Sequence, residues 1–255
     1  MISSLNYHKI FDYPLVKSDN PRWVYKDESI KSITSIKSIT RLEREKISQK
    51  KLLIAKKASE ILSKIPTVKF VGITGSLAMM NAKKESDIDL MVITSKNTLW
   101  TTRLFVLVLL VILRIPFRRS DRRDEANKLC LNMWLDETDI TWDKKDRNIY
   151  TAHEIAQVMP LVNKDKTYEK FLYLNKWILS YWPNAVRIWN AESGMQYKNT
   201  KFRIPHSAFL IIEKFCFWLQ IKYMKSKITR EIVSSTRAIF HPNDWGKVVM
   251  EKLKN

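Results

Sequence analysis

GITGSLAMMNAKKESDIDLMVIT, residues 72–94, is the stretch that decides the fold. The β-branched run VKFVGIT (68–74) predicts a strand, Gly75-Ser76 interrupts it, LAMMNA suits a short helix, and DIDLMVIT (87–94) predicts a second strand. Residues two apart on a strand project to one face, so Asp87 and Asp89 present their carboxylates together while Ile88 and Leu90 turn into a core. Two like charges at that spacing repel, and a hard divalent cation relieves them. Gly75, without a side chain, lets a phosphate approach the backbone. Ser76 adds a hydroxyl at a helix start, where unpaired N–H groups favour anions. Lys83 and Lys84 precede the aspartates, and Lys84 is placed to steer a triphosphate.

Working outward, Leu52, Leu53, Ala55, Ala58, Ile61 and Leu62 recur at helical spacing, predicting an amphipathic helix over 41–64 that ends before Pro66. Downstream, LFVLVLLVIL (104–113) is apolar throughout between Arg103 and Arg114, far short of the roughly 20 residues a membrane span needs. A buried core helix is expected and no transmembrane segment. Contact with a membrane surface or partner is the alternative reading. Arg103 is expected to reach the rim of the site. FRRSDRRDEANK (117–128) reads as a charged loop, and LCLNMWL (129–135) as a third strand turning at Asp136 into a short partner, DITW. After Asn148 the pattern is helical nearly to the end, broken at Pro160, Pro183, Pro205 and Pro242. The tryptophans and tyrosines of KWILSYWPNAVRIWN (176–190) are spaced for helix packing, before base stacking. His153-Glu154 lacks a histidine at i+4, so a capping or core-edge role is expected rather than a zinc-protease motif. The echo IKSITSIKSIT (30–40) is too short to be a structural repeat. This divides the chain into a partly helical extension (1–44), a catalytic core (45–146) and an α-helical C-terminal domain (147–255).

The composition, 45% hydrophobic and 28% charged, is that of a folded protein, and four glycines among 255 residues argue against a turn-rich all-β design. The net charge of +19 attracts polyanions: nucleotides, nucleic acid or an acidic membrane surface. Cys130 and Cys216 lie far apart in apolar contexts without a CxxC pattern, so buried free thiols are expected rather than a zinc site. The N-terminal residues lack a secretory pattern, which points to the cytoplasm.

The ordered combination of strand, Gly75-Ser76, helix, and Asp87-Ile88-Asp89-Leu90 resembles the signature of the DNA polymerase β-like nucleotidyltransferase superfamily. Thr74 is a small departure, since an apolar residue is usual there. The resemblance implies an α+β fold, a mixed sheet with flanking helices followed by an α-helical C-terminal domain. It also implies an NTP-dependent nucleotidyltransferase that uses Mg²⁺ or Mn²⁺, with a nucleoside triphosphate as substrate. The acceptor is open among RNA, a protein and a small molecule. Gly75 and Ser76 would cradle phosphates, and Asp87 and Asp89 would hold the metal. The family's third carboxylate sits on a later strand, and the matching position here is Asn132, whose amide oxygen can join a metal but cannot act as a base. Asp136 shares the parity of Asn132 along a regular strand and is the substitute the sequence offers, ahead of Asp139 and Glu154. Asn132 also supports the alternative of a catalytically weakened module that binds nucleotide or RNA in a regulatory role.

Overall fold

The computed structural model describes residues 3–13, 15, 19, 22–25, 39–118, 125–186, 206–225, 231–240 and 245–254. The echo at 30–40, apart from its last two residues, lies outside the described residues.

A short helix α1 (Ser4–Lys9) opens the chain, capped by the Ser3 side chain, which accepts from Asn6 N at 3.1 Å. The long α2 (Ile39–Ser63) follows, and it buries Ala55, Ala58 and Leu62 on one stripe against β1 (Val68–Ile73). After Gly75 comes the single turn α3 (Gly75–Ala78), then β2 (Ile88–Thr94) antiparallel to β1. The helix α4 (Leu99–Ile112) carries the chain across to β3 (Leu129–Asp136), which is parallel to β2; a parallel pair requires such a crossover.

The C-terminal half is not purely helical. It contributes α5 (Ile149–Gln157), α6 (Thr167–Leu174), α7 (His206–Met224) and α8 (Trp245–Lys254), but also β4 (Met159–Asn163), β5 (Ile232–Val233) and β6 (Arg237–Ile239). These strands pair onto both edges of the first three, giving one six-stranded sheet in the order β4-β1-β2-β3-β6-β5. Short edge strands carry little periodicity, and the open backbone edges of β1 and β3 recruit them through hydrogen bonds rather than pattern. The expected DITW strand is a turn.

Each face of the sheet has its own core. On one, Phe70, Met91, Ile93, Met133 and Leu135 pack against Tyr7, Ile155, Phe171, Trp182 and Val249, which come from the N-terminal helix and the C-terminal half. On the other, Val71, Ile88, Leu90, Val92 and Trp134 pack against Leu62, Leu77, Val106, Leu110 and Cys216 of α2, α3, α4 and α7. Trp182 and Ile178 are fully buried in the first core, as their spacing predicts. His153 is buried there too, its ring 4.3 Å from that of Trp23.

Candidate active site

Asp89, second residue of β2, lies on the first face with Met91 and Ile93, and pairs in register with Cys130 of parallel β3. Asp87 sits just ahead of the strand. An oxygen of each carboxylate and Sγ of Cys130 all lie within 4.8 Å of one another. Burial, and then the charge of Asp87, hold the Asp89 carboxyl above the usual carboxylate range. Burial, followed by the two aspartates, likewise pushes the Cys130 thiol up, and both cysteines are free and buried.

Gly75 adopts φ +61°, a conformation that L side chains rarely take, and the Asp89 carboxylate lies directly over it. The Thr74 N–H donates to Asp89 O at 3.0 Å, fastening the end of β1 beside the aspartate. Ser76, exposed, is the second residue of α3. The first N–H groups of a helix have no partner within it, so this turn offers donors next to the acids.

Asn132 joins the pair. Its Nδ2 donates to Asp89 Oδ1 at 2.6 Å, while its own Oδ1 is buried without a hydrogen-bond partner. Such an orphaned acceptor beside two carboxylates marks a place for a cation or its water shell. Hard oxygen donors are what Mg²⁺ and Mn²⁺ prefer, so the residues present fit the metal that the fold implies.

Asp136 does not belong to this cluster. The β2–β3 register slips between Asp89 and Met91, where two steps on β2 match three on β3 (130 to 133), the mark of a β-bulge. Asn132 and Met133 therefore both face the first core side, and the next residues reverse parity, with Trp134 in the second core and Leu135 in the first. Asp136 consequently projects away from the Asp89 face, at the far end of the strand beside Thr94. Its carboxylate is fully buried and consumed locally: Oδ2 accepts from Asn97 N at 2.6 Å, and Oδ1 from Thr138 N at 2.9 Å and Thr138 Oγ1 at 2.5 Å. Asp139 is likewise taken up, by Arg237 and Thr236. Arg103 turns to Gln220 Oε1 at 2.5 Å and does not reach the rim.

The third acid that the fold brings near is Glu154 of α5. Burial and then the charge of Asp89 push its carboxyl up to about 8, and Gln157 Nε2 donates to it at 2.6 Å. Glu154 also lines a cavity of about 510 Å³ whose other walls include Met133, Trp142, Tyr150, Arg237 and Trp245.

Two cations near the acids escape a reading of the sequence. Arg118, in the loop before β3, donates to Asp87 Oδ2 at 3.0 Å and pairs with Glu125 at 2.8 Å. Its place is set by backbone pairing, Arg118 N to Leu129 O at 2.8 Å, which local pattern does not reveal. Lys51, on α2, is almost completely buried, and its ammonium donates to Lys84 O at 3.1 Å, Ser86 O at 2.6 Å and Asn127 Oδ1 at 2.9 Å. It fastens the loop that delivers Asp87. The Lys84 side chain is exposed.

Residues 56–146 match a family model described as Polymerase beta, Nucleotidyltransferase. No curated protein and no solved structure matches the chain. The match spans β1, α3, β2, α4 and β3, the elements that carry Gly75, Ser76, Asp87, Asp89 and Asn132. For this domain, residues 56–146, the match supports the polymerase β-like nucleotidyltransferase superfamily.

Proposed function

We propose that the chain transfers a nucleoside monophosphate from a nucleoside triphosphate to a hydroxyl acceptor, with release of pyrophosphate. The observation that carries this reading is the half-buried Asp89 carboxylate, stacked on the bare Gly75 backbone and flanked by Asp87 and the orphaned Asn132 oxygen. Asp87, Asp89 and Asn132 would hold Mg²⁺ or Mn²⁺. Bound there, the ion supplies charge neutralisation for the triphosphate and for the attacking oxygen.

The chain's own groups divide the remaining work. The N–H groups of Gly75 and Ser76, with the Ser76 hydroxyl, bind phosphate oxygens. Lys84, exposed in the loop that leads to Asp87, attracts the triphosphate as it arrives. Arg118, paired with Asp87, would exchange that carboxylate for the departing phosphates. Glu154 accepts the proton of the acceptor hydroxyl as its oxygen bonds to the α-phosphorus and the α–β bridging bond breaks. A carboxyl raised to about 8 is, once ionised, a stronger base than an ordinary carboxylate, which suits that exchange. The acceptor occupies the cavity beside Glu154, and its size and mixed aromatic and polar walls suit a small molecule or the end of a longer chain.

The test is incubation of the purified protein with each labelled NTP, Mg²⁺ or Mn²⁺, and cellular RNA, protein and metabolite fractions. An Asp87→Asn/Asp89→Asn variant runs alongside. Transfer by the wild type that the variant loses supports the enzyme and identifies the acceptor class. Metal-dependent nucleotide binding without transfer to any fraction supports instead the regulatory module that Asn132 suggests.

A further inference from the structure

The helix α7 is built inside out. Its polar Glu213 and Gln220 face inward: Glu213 accepts from the N–H groups of Trp100 and Thr101 at 2.7 and 2.8 Å, and Gln220 Nε2 donates to Trp100 O at 2.8 Å. A buried carboxylate thus caps α4, where a helix N-terminus favours an anion. Phe217, Ile221 and Met224 pack on the second core, but other large apolar side chains point outward, with Ile211 69%, Phe215 58% and Trp218 54% exposed. The neighbouring α4, expected to be a core helix, is buried along Leu99, Trp100, Thr102, Val106 and Leu110, and leaves Phe105 54%, Val108 47% and Ile112 69% exposed.

Cations are interleaved with these residues. Lys214, Lys222 and Lys225 are exposed on α7, Arg114 is exposed just past α4, and the Lys222 ammonium stands 5.1 Å from the Trp218 ring. Neither helix has an exposed acid, since Glu213 is buried and α4 contains none. Among the described residues, no helix is long and apolar enough to cross a membrane. Apolar and aromatic side chains with lysines around them, on helices too short to span, are the composition of an in-plane membrane anchor. The rings enter the acyl boundary while the lysine stems snorkel to lipid phosphates.

We propose that the α4–α7 face docks on an anionic lipid bilayer. Charge selects this occupant, because among the described residues of the two helices the exposed charges are all cationic, on a chain of net charge +19, and a second copy of the same patch would be repelled. The two helices cover the sheet face opposite Asp89 and Asn132, so docking leaves the acids turned away from the lipid.

The experiment is flotation of the full chain with phosphatidylcholine vesicles, with and without 30% phosphatidylglycerol, at low and high salt. A Phe215→Asp/Trp218→Asp variant and a Lys214→Gln/Lys222→Gln/Lys225→Gln variant run alongside, with circular dichroism confirming that each is folded. Flotation with the anionic vesicles, weakened by salt, is expected, and each variant should reduce it by about tenfold or more. Quenching of tryptophan by brominated lipid should be reduced in the first variant. Absence of flotation by the folded wild type overturns the proposal. So does flotation unchanged in both variants, or a concentration-dependent dimer that the aspartate variant abolishes.

Discussion

The Asp89 carboxylate rests on Gly75 so closely that a methyl group at residue 75 would overlap its Oδ2. The φ of +61° at Gly75 adds backbone strain to any replacement. Gly75→Ala is therefore expected to displace Asp89 and abolish metal-dependent nucleotide binding. The stability cost is about 1–2 kcal/mol from backbone strain alone. Isothermal titration with a non-hydrolysable NTP, beside urea unfolding, checks both parts. Unaltered nucleotide affinity in the alanine variant would contradict the cradle.

In the proposed reaction Glu154 and Asn132 divide what a third carboxylate would do. Glu154→Gln keeps the shape and the cavity but removes the proton acceptor, so transfer should fall by about 10²–10⁴-fold with nucleotide affinity nearly unchanged. Asn132→Asp sets a carboxylate where Nδ2 now donates to Asp89 at 2.6 Å. That variant should melt lower than wild type without metal and gain more in Tm on adding Mn²⁺. Equal melting shifts in the two proteins would remove Asn132 from the metal site.

Lys51 holds the loop before Asp87 through three acceptors: Lys84 O, Ser86 O and Asn127 Oδ1. Lys51→Met leaves them unpartnered and is expected to cost about 3 kcal/mol in urea unfolding. It should also weaken Mn²⁺ binding, measured by its paramagnetic effect on water relaxation. Lys51→Arg should restore part of both.

Arg118 neutralises Asp87 across 3.0 Å. Removing it in Arg118→Ala takes away a competitor of the metal and a partner of the phosphates. Mn²⁺ affinity without nucleotide should rise, while the KM for NTP increases by about tenfold. Parallel weakening of both would assign Arg118 to loop structure alone.

Acid should destabilise the protein through its aromatic core. Burial lowers the pKa of His8 to about 4, against an ordinary value of 6.5, and His153 is also lowered. The folded state keeps His8 neutral while the unfolded chain binds a proton below 6.5. Stability is thus complete above pH 6.5 and lost as pH falls toward 4, by about 3 kcal/mol from His8. Denaturant midpoints at pH 7.5, 5.5 and 4.5 measure the loss, and His8→Leu should flatten it.

What the sequence by itself determined lies within short stretches. Gly75-Ser76, the i and i+2 aspartates at the start of β2 and the helix before β1 follow from backbone geometry a few residues long, where spacing alone dictates which side chains share a face. The burial of both cysteines and of Trp182 followed from local apolarity in the same way. Only the tertiary structure decided the rest. One extra residue in the register of β3 against β2 put Asn132 beside Asp89 and turned Asp136 to the other face, and a bulge is fixed by the partner strand rather than by the strand's own pattern. Arg118, Glu154 and Lys51 come to the acids from separate elements through long-range packing. The edge strands β4, β5 and β6 form because β1 and β3 expose backbone donors and acceptors, so their pairing depends on the neighbour and not on their own few residues. The same holds for α4: its apolar run is buried only where β2, β3 and α7 cover it, and a uniformly apolar helix does not encode which side will meet the core.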